Sequence, residues 1–306
     1  MTQNEKSLIV IVGPTAIGKT ALAIQLARHF STEIISADSR QFFKEMEIGT
    51  AKPSTEELAA VPHHFINSHS INTFFSTGDF ENEALAKADE LFKSHNQLLM
   101  VGGSGLYINA VCNGLDKLPD TDLTIRASLK ERFAVEGLES IRQEIALADP
   151  EFYAKVDQQN PQRMIRGLEF YLSTGFKLSA YQTNSKKERP FKICKIGLNM
   201  DRNLLYQQIN NRVDQMMATG LLEEVKELLP YKHLNALNTV GYTELFQYLD
   251  GVISLEQAVD AIKQNTRRFA KRQLTWFRKD PDTHWFEPDQ YADILKHVQQ
   301  AIKPVQ

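Results

Sequence analysis

The chain has 306 residues, 42% of them hydrophobic, so it is long enough to bury a substantial core in one or two domains. Its 35 basic and 38 acidic residues leave a net charge of -3, so any nucleic-acid partner has to bind a local basic patch. Only two cysteines are present, Cys112 and Cys194, and both lie in apolar stretches. This excludes a disulfide scaffold and predicts buried thiols in a reducing compartment.

The N-terminal residues 1–6 lack the apolar run of a signal peptide, and no later apolar run approaches the length needed to span a membrane. We therefore expect a cytoplasmic protein with no membrane partner.

Residues 8–30 contain the strongest local signal in the chain. The apolar run 8–12 predicts a buried strand, the motif GPTAIGKT follows directly, and an amphipathic segment begins at residue 21. A strand, the pattern G-x-x-x-x-G-K-T and a helix together predict a phosphate-binding P-loop, because the loop N–H groups, the helix N-terminus and a lysine all favour an anion. A chance glycine-rich turn is the alternative, but four fixed residues and two agreeing flanks argue against it. The predicted phosphate-binding residues, for a nucleotide such as ATP or another polyphosphate ester, are Gly13, Pro14, Thr15, Ala16, Ile17, Gly18, Lys19 and Thr20.

A second buried strand is predicted at residues 33–36, and Asp38 follows it. Ligands of open α/β sheets collect at the carboxyl ends of strands, so Asp38 is expected near the P-loop. A carboxylate there can bind magnesium, act as a general base or cap the next helix, and the P-loop favours the two chemical roles. Further along, His63 and His64 lie in an irregular polar stretch without a third metal ligand at useful spacing, which favours packing over metal binding.

Residues 77–93 have helical periodicity with Thr77 as the expected N-cap, and residues 98–101 form a third predicted strand. A glycine-rich turn at residues 102–105 follows. Motor-type P-loop ATPases carry an acidic residue at the end of such a strand. The glycines here favour a group-transfer enzyme whose acid is Asp38.

Residues 118–122 and 182–189 resemble domain boundaries, and three helices are predicted between them, at 123–136, 138–148 and 161–174. The third has Asn160 as N-cap and Gly175 just past its end. A strand at 191–198 then returns to the sheet. The predicted fold is α/β, a P-loop NTPase-like parallel sheet flanked by helices, with an all-helical insertion of about 70 residues. The expected domains are 1–117, 118–190 and 191–306, the insertion being a lid over a small substrate or a clamp for a large one.

The last part of the chain is helical, and a capping box at residues 254–257 begins a long helix. Seven cations accumulate there without an acidic residue between positions 261 and 279, and Phe269, Trp276 and Phe277 are interleaved with them. A solvated basic face over core aromatics is one interpretation. The uncompensated charge favours a phosphate backbone as partner. The seven cations are Lys263, Arg267, Arg268, Lys271, Arg272, Arg278 and Lys279.

Several motifs carry a family resemblance. Besides the P-loop they are SADSRQ at 36–41, GTAKP at 49–53, VPHH at 61–64, GGSGLY at 102–107, DR at 201–202, NRVD at 211–214, GY at 241–242 and KRQLTWFR at 271–278. In this order, over nearly the whole chain, they resemble the tRNA dimethylallyltransferases, and the absence of a Cys/His zinc finger after the basic helix resembles the bacterial form. The chain departs from the usual family pattern at Ser104, Phe42, Phe43 and Asn67.

The resemblance implies transfer of a dimethylallyl group from dimethylallyl diphosphate to N6 of the adenine immediately 3′ of the anticodon, with Mg²⁺ as cofactor and without zinc. It assigns the diphosphate to the P-loop amides, Lys19 and Arg212, the metal to Thr20, and the N6 proton to Asp38. The adenine must flip out of the anticodon loop to reach this site. We expect a monomer. The tRNA contacts implied by the resemblance are Asp38, Ser39, Arg40, Gln41, Ser104, Arg126, Gln162, Arg163, Met164, Ile165, Arg166, Gly241, Tyr242, Lys271, Arg272, Gln273 and Arg278.

Two other functions fit parts of the sequence. A P-loop small-molecule kinase would use the insertion as a lid and Asp38 to activate a hydroxyl, but it leaves the basic helix unexplained. A nucleotide-gated RNA-binding module leaves Asp38 unexplained.

Overall fold

A computed structural model describes residues 6–183 and 185–303. Two compact units are present. One is made of the described residues up to Cys112 together with those from Glu188 onward, and the other is the helical segment Asn113–Lys187. The segment begins and ends a few residues before the 118–190 expected from the sequence.

The larger unit contains one six-stranded sheet in which every strand pair is parallel, with the order β3-β2-β4-β1-β5-β6. This confirms the predicted α/β class. The strand bounds are β1 Ser7–Val12, β2 Ile34–Ser36, β3 His63–His64, β4 Gln97–Gly102, β5 Lys192–Leu198 and β6 Thr283–Phe286.

Helices follow most of the predicted segments, while the helices at residues 55–60, 150–155, 178–181, 242–249 and 291–301 and the edge strand β6 were not predicted. The helix bounds are α1 Lys19–Phe30, α2 Thr55–Ala60, α3 Thr77–Leu91, α4 Gly105–Asn113, α5 Leu123–Glu136, α6 Leu138–Ala148, α7 Pro150–Lys155, α8 Pro161–Thr174, α9 Leu178–Tyr181, α10 Arg202–Ala218, α11 Leu221–Glu227, α12 Tyr242–Leu249, α13 Leu255–Phe277 and α14 Tyr291–Ala301.

Both faces of the sheet are buried, which explains why β1 is an unbroken apolar run. Side chains of a strand alternate between faces. Leu8 and Val10 therefore join a core with α3, α4, α12 and part of α13. Ile9 and Ile11 join a second core with α1 and α14 on the other face. The sheet therefore lies between these two cores, and the loops at the carboxyl ends of its strands remain available for ligands.

Two local predictions are corrected. The N-cap of α3 is Ser76 rather than Thr77, because the Ser76 hydroxyl accepts from the Asp79 N–H and the Asp79 carboxylate accepts from the Ser76 N–H. The stretch with His63 and His64 is the short strand β3 rather than a loop. Nε2 of His64 lies 2.7 Å from the Glu33 carboxylate, so this side chain makes a polar contact with the residue that precedes β2.

The helical unit has a core of its own, built from α5 to α9. Helix α8 begins and ends as predicted: the Asn160 side chain accepts from the Arg163 N–H at 3.2 Å, and Gly175 adopts φ 73° just past the last turn. Gly167 allows close packing in the middle of α8, since a Cβ there would lie 2.4 Å from the Phe152 ring.

Both cysteines are buried free thiols, as predicted, and burial raises the pKa of each to about 11. Among the described residues, no helix combines the length and the apolar character needed to cross a bilayer.

Candidate active site

The loop between β1 and α1 has the backbone conformations of a phosphate-binding turn. Gly18 has φ 94° and Ala16 has φ 66°, both in the left-handed region. At Gly13, where φ is 151°, a Cβ would lie 2.9 Å from the Leu198 carbonyl oxygen at the end of β5. The pattern of small residues is therefore required by the turn itself and by its close approach to the neighbouring strand.

Lys19 lies in the first turn of α1, and its ammonium group donates to the Pro14 carbonyl at 2.7 Å. Burial lowers the pKa of Lys19 to about 7, while Asp38 opposes this shift and Arg212 adds to it. A bound anion stabilises the protonated form. The loop therefore holds the Lys19 side chain where an anionic ligand would raise its pKa and favour the protonated, charged form.

Asp38 follows β2 at the carboxyl edge of the sheet, as predicted. Its Oδ1 accepts from the backbone N–H of Arg40 at 2.9 Å and of Gln41 at 3.3 Å. Its Oδ2 accepts no hydrogen bond within residues 6–183 or 185–303. The Ser39 N–H is held by the Ser104 hydroxyl at 2.9 Å. The loop therefore fixes one oxygen of the carboxylate and leaves the other for a ligand.

Two cavities meet at these side chains. A polar one of about 300 Å³ is lined by the P-loop from Thr15 to Ala21 and by Asp38, Glu57 and His63. A second one of about 250 Å³ has apolar walls from α10 and α13, including Val213, Met216 and Ile262. Residues that line both cavities are Thr15, Asp38, Thr50, Ala51, Arg212 and Phe269. The arrangement can hold a polyphosphate beside an apolar group with a carboxylate at the junction.

Arg212 lies on α10, where it lines both cavities. Burial lowers the pKa of its guanidinium, and Glu57 opposes that shift. An arginine stays charged in proteins, so Arg212 contributes a fixed positive charge next to the titrating Lys19. The sequence motif around Arg212 indicated this residue, whereas neither Glu57 nor His63 was predicted to line the site.

Gln273, predicted as a tRNA contact, is buried and holds the P-loop. Its side-chain oxygen accepts from the Thr15 N–H at 2.9 Å, and its amide group donates to the Gly103 carbonyl at 2.9 Å. The tRNA contact remains a prediction for this residue.

Close packing against α13 also explains the glycine-rich turn after β4. A Cβ on Gly103 would lie 2.2 Å from the Gln273 amide nitrogen, and a Cβ on Gly105 would lie 2.3 Å from the Trp276 indole. On the sheet side, a Cβ on Gly102 would lie 2.2 Å from the Ala37 carbonyl oxygen. The turn that was predicted to replace an acidic residue is therefore a contact surface between the sheet edge and α13.

The basic helix α13 has fewer uncompensated charges than predicted. Lys263 forms an ion pair with Asp214 of α10 at 2.6 Å, and Arg267 donates to the Asn210 side chain. The prediction that all seven cations lack a partner is therefore wrong for Lys263. Four cations at the C-terminal end are exposed and make no ion pair in the part of the chain that the structure describes. They are Lys271, Arg272, Arg278 and Lys279.

Aromatic rings lie beside some of these exposed cations. The Arg272 guanidinium lies 5.7 Å from the centroid of Phe269, and the Arg278 guanidinium lies 5.9 Å from that of Trp285. Phe269 and Trp276 are themselves partly exposed, by 39% and 43%. These residues fit the predicted RNA-binding surface, while Phe277 belongs to the core.

The predicted tRNA residues of the helical unit fall into two groups. Gln162 and Arg163 are exposed, and Arg126 and Arg166 are held by Glu169, whose side chain is fully buried. Met164 and Ile165 point into the core of the unit, with 0% and 7% exposure. The tRNA contacts at these last two positions remain predictions.

Tyr242 was also predicted as a tRNA contact, but its side chain is fully buried. Its hydroxyl donates to the Glu224 carboxylate. Gly241 lines the apolar-walled cavity. The side chain of Tyr242 is therefore part of the wall behind the cavity.

The departures from the family pattern have simple packing roles. Phe42 and Phe43 are buried and contact each other with their ring centroids 4.5 Å apart. Asn67 adopts φ 54°, a conformation that asparagine tolerates, and accepts a hydrogen bond from Lys52. Ser104 provides the hydroxyl that holds Ser39.

Comparisons with known proteins converge on one family. The family described as IPP transferase matches residues 41–280. The chain is 54% identical over 296 residues to a tRNA dimethylallyltransferase from Christiangramia forsetii, covering 96% of this chain and 98% of that protein. It is 50% identical over 305 residues to one from Flavobacterium johnsoniae, covering 97% and 99%.

Solved structures agree. A tRNA isopentenylpyrophosphate transferase from Bacillus halodurans matches with a TM-score of 0.73 and 36% identity, covering 97% of each chain. A eukaryotic dimethylallyltransferase acting on tRNA matches with a TM-score of 0.77 and 27% identity, covering 96% of this chain and 77% of the other.

Proposed function

Because this chain belongs to the IPP transferase family, we infer that it transfers a dimethylallyl group from dimethylallyl diphosphate to N6 of the adenine immediately 3′ of the anticodon in tRNA. The observation that carries this inference is the junction of the two cavities, where the P-loop, Arg212 and Asp38 border an apolar wall. Family membership also removes the small-molecule kinase and the RNA-binding module as alternatives.

The proposed reaction forms one bond and breaks one. The adenine N6 attacks C1 of the dimethylallyl group, the bond from C1 to the diphosphate oxygen breaks, and diphosphate leaves with the bonding electrons. The N6 proton passes to the Asp38 carboxylate. Atoms and charge therefore balance without a redox partner.

Each part of the site has a proposed role in this step. The P-loop amides, Lys19 and Arg212 hold the diphosphate and stabilise the negative charge that grows as it leaves. Asp38 orients N6 through its Oδ2 and accepts the proton, since Oδ1 is already held by Arg40 and Gln41. The apolar wall takes the five-carbon group next to the diphosphate.

Magnesium is proposed as the cofactor on the basis of its donor preference. Thr20, Asp38 and Glu57 bring hydroxyl and carboxylate oxygens to the polar cavity, and oxygen is the ligand that Mg²⁺ selects. Thr20 is the proposed protein ligand. When bound, the ion would neutralise part of the charge on the diphosphate.

The tRNA has to present its adenine unstacked, because a stacked base cannot reach an enclosed junction. The exposed cations Lys271, Arg272 and Arg278 are proposed to contact RNA phosphates, together with Gln162, Arg163 and Arg166 of the helical unit. Ser39, Arg40 and Ser104 would contact the nucleotide near the junction.

The direct test is to incubate the protein with unmodified tRNA, dimethylallyl diphosphate and Mg²⁺ and to digest the tRNA to nucleosides. We expect adenosine to gain the mass of one dimethylallyl group replacing a hydrogen. An unchanged nucleoside profile would contradict the proposal.

A further inference from the structure

A short segment, residues 47–51, contains the 3-10 turn Ile48–Thr50 and contributes to the lining of both cavities of the candidate active site. Gly49, Thr50 and Ala51 line the apolar-walled cavity, and Thr50 and Ala51 also line the polar one. We call residues 47–51 the wall segment.

One carboxylate holds the wall segment from behind. Glu224 of α11 accepts three backbone N–H groups: those of Glu47 and Ile48, at 3.1 and 2.6 Å, on Oε2, and that of Gly49, at 3.1 Å, on Oε1. Hydrogen bonds to an ionised acceptor are the stronger class. A single side chain thus satisfies three consecutive donors of a segment with little regular structure.

Tyr242 completes this arrangement. Its hydroxyl donates to the same Oε1 of Glu224, and a Cβ on Gly49 would lie 2.5 Å from its ring. Burial raises the pKa of Tyr242, and the Glu224 carboxylate raises it further, so the phenol remains a donor. The Tyr242 ring and the Glu224 carboxylate therefore restrict movement of the wall segment on one side. They can approach it closely because Gly49 has no side chain.

Lys52, which directly follows the wall segment, provides a second attachment. Its ammonium group donates to the Phe43 carbonyl at 2.8 Å, to the Glu47 carboxylate at 3.1 Å and to Asn67. Its side chain is only 1% exposed. The position of the wall segment is therefore set by two attachments, the Glu224 carboxylate and the Lys52 ammonium group.

A chain of hydrogen bonds links the wall segment to Asp38. The Gln41 amide donates to the carbonyls of Thr50 and Ala51 at 3.2 and 3.1 Å, and the Gln41 backbone N–H donates to Asp38 Oδ1 at 3.3 Å. A displacement of the wall segment would therefore move Gln41, and with it the Asp38 carboxylate that Gln41 helps to orient. Glu224 is not among the residues that line either cavity, so it acts on the reaction through the wall segment and this chain of hydrogen bonds.

We propose that Glu224 and Tyr242 are positioning residues for the transfer step, which fix the wall segment and, through Gln41, the orientation of Asp38. This inference rests on the proposed function, in which Asp38 accepts the N6 proton. In this proposal the buried Tyr242 side chain supports the wall segment rather than contacting tRNA.

The test compares Glu224→Gln and Tyr242→Phe with Glu223→Gln. Glu223 is the matched control because it is the preceding residue on α11 and is exposed, and within the described residues its ion-pair partner is Lys226, at 3.6 Å. Measured for each variant are kcat for transfer, KM for dimethylallyl diphosphate and the melting temperature. The assay temperature lies well below every melting temperature.

Displacement of a reacting group by an ångström can slow a reaction about a hundredfold, so we expect kcat of Glu224→Gln to fall by about tenfold to a hundredfold. KM for dimethylallyl diphosphate should change much less than kcat, because the P-loop, which holds the diphosphate, is anchored separately by Gln273. Tyr242→Phe keeps the ring and loses one hydrogen bond, so its kcat should fall less. The double variant should fall no further than Glu224→Gln, since both residues act through one segment.

A purely structural role predicts a lower melting temperature with wild-type kcat, and that result would overturn the proposal. Equal losses in Glu223→Gln, or a rise in KM that accounts for the whole effect, would also overturn it. If Glu224→Gln does not fold, the kcat of Tyr242→Phe decides. Failure of the wild-type protein to modify tRNA is a separate result, which contradicts the proposed function itself.

Discussion

Gln273 accepts a hydrogen bond from the backbone N–H of Thr15 at 2.9 Å and so ties α13 to the P-loop across 258 positions of the chain. The same side chain donates to the Gly103 carbonyl, so it joins the loops after β1 and β4 to one helix. The opposite side of that helix carries exposed cations. The helix proposed to bind tRNA is thus also the support of the diphosphate site.

Replacement of Gln273 by alanine should weaken the diphosphate site. The change leaves the Thr15 N–H and the Gly103 carbonyl without their partner, and an unsatisfied buried group costs about 1 to 3 kcal/mol. We expect a lower melting temperature and a higher KM for dimethylallyl diphosphate. Gln264→Ala, an exposed position on the same helix, is the control and should match the wild type in both measurements.

The low pKa of Lys19, about 7 in the free protein, predicts proton uptake on ligand binding. At pH 8 most of the lysine is neutral, and the negative diphosphate raises its pKa, so binding should take up close to one proton per site. Isothermal titration calorimetry in buffers with different heats of ionisation measures this number.

Lys19→Arg is the matched control for proton uptake, because arginine stays charged at pH 8 in both states. Its binding heat should be independent of the buffer. A wild-type binding heat that is equally independent of the buffer would show that Lys19 is already charged in the free protein.

The exposed cations of α13 should control the salt dependence of tRNA binding. Each lost phosphate contact lowers the magnitude of the slope of log affinity against log salt by about 0.7 to 0.9. We expect this for Lys271→Ala and Arg272→Ala, with the KM for dimethylallyl diphosphate unchanged. Fluorescence anisotropy across a salt series measures the slopes.

Lys263→Ala gives the opposite expectation, because Lys263 is held by Asp214 at 2.6 Å. It should lower the melting temperature without changing the slope. If Lys271→Ala and Arg272→Ala behave in the same way as Lys263→Ala, α13 is a structural helix rather than an RNA-binding one.

Glu169 should determine how Arg126 and Arg166 of the helical unit are held, because it forms ion pairs with both. Its fully buried carboxylate accepts from Arg126 at 3.0 Å, Thr121 at 2.7 Å and Arg166 at 3.3 Å. Glu169→Gln removes the counter-charge of two arginines, so we expect a loss of about 1 to 3 kcal/mol in stability and weaker tRNA binding. Glu151→Gln, an exposed residue whose partner is Lys155, should change neither. Unchanged tRNA affinity in Glu169→Gln would show that these arginines do not contribute to tRNA binding.

The sequence predicted the P-loop and Asp38 well because their signals are local. A buried run, a glycine pattern and the start of a helix are adjacent in the chain, and the carboxyl end of β2 had to meet the same sheet edge. Helix α8 was equally clear, since Asn160 and Gly175 mark its two ends.

The parts that were missed depend on contacts between distant residues. Glu224 and Glu223 are adjacent glutamates of one helix, and only the fold places one of them against the wall segment. Lys263 was predicted to lack a partner because Asp214, with which it forms an ion pair, lies on another helix. Strand β6 is a four-residue edge strand whose pattern was too short to distinguish from a loop.

The central claim is that Asp38 accepts the N6 proton while the P-loop holds the diphosphate. The most direct measurement is the single-turnover rate of dimethylallyl transfer by Asp38→Asn at saturating tRNA and dimethylallyl diphosphate, with the tRNA Kd determined in parallel. General-base catalysis contributes about a hundredfold or more, so we predict a rate loss of at least that size with a nearly unchanged Kd and with normal transfer by the exposed control Asp89→Asn. A transfer rate of Asp38→Asn close to that of the wild-type protein would contradict the account.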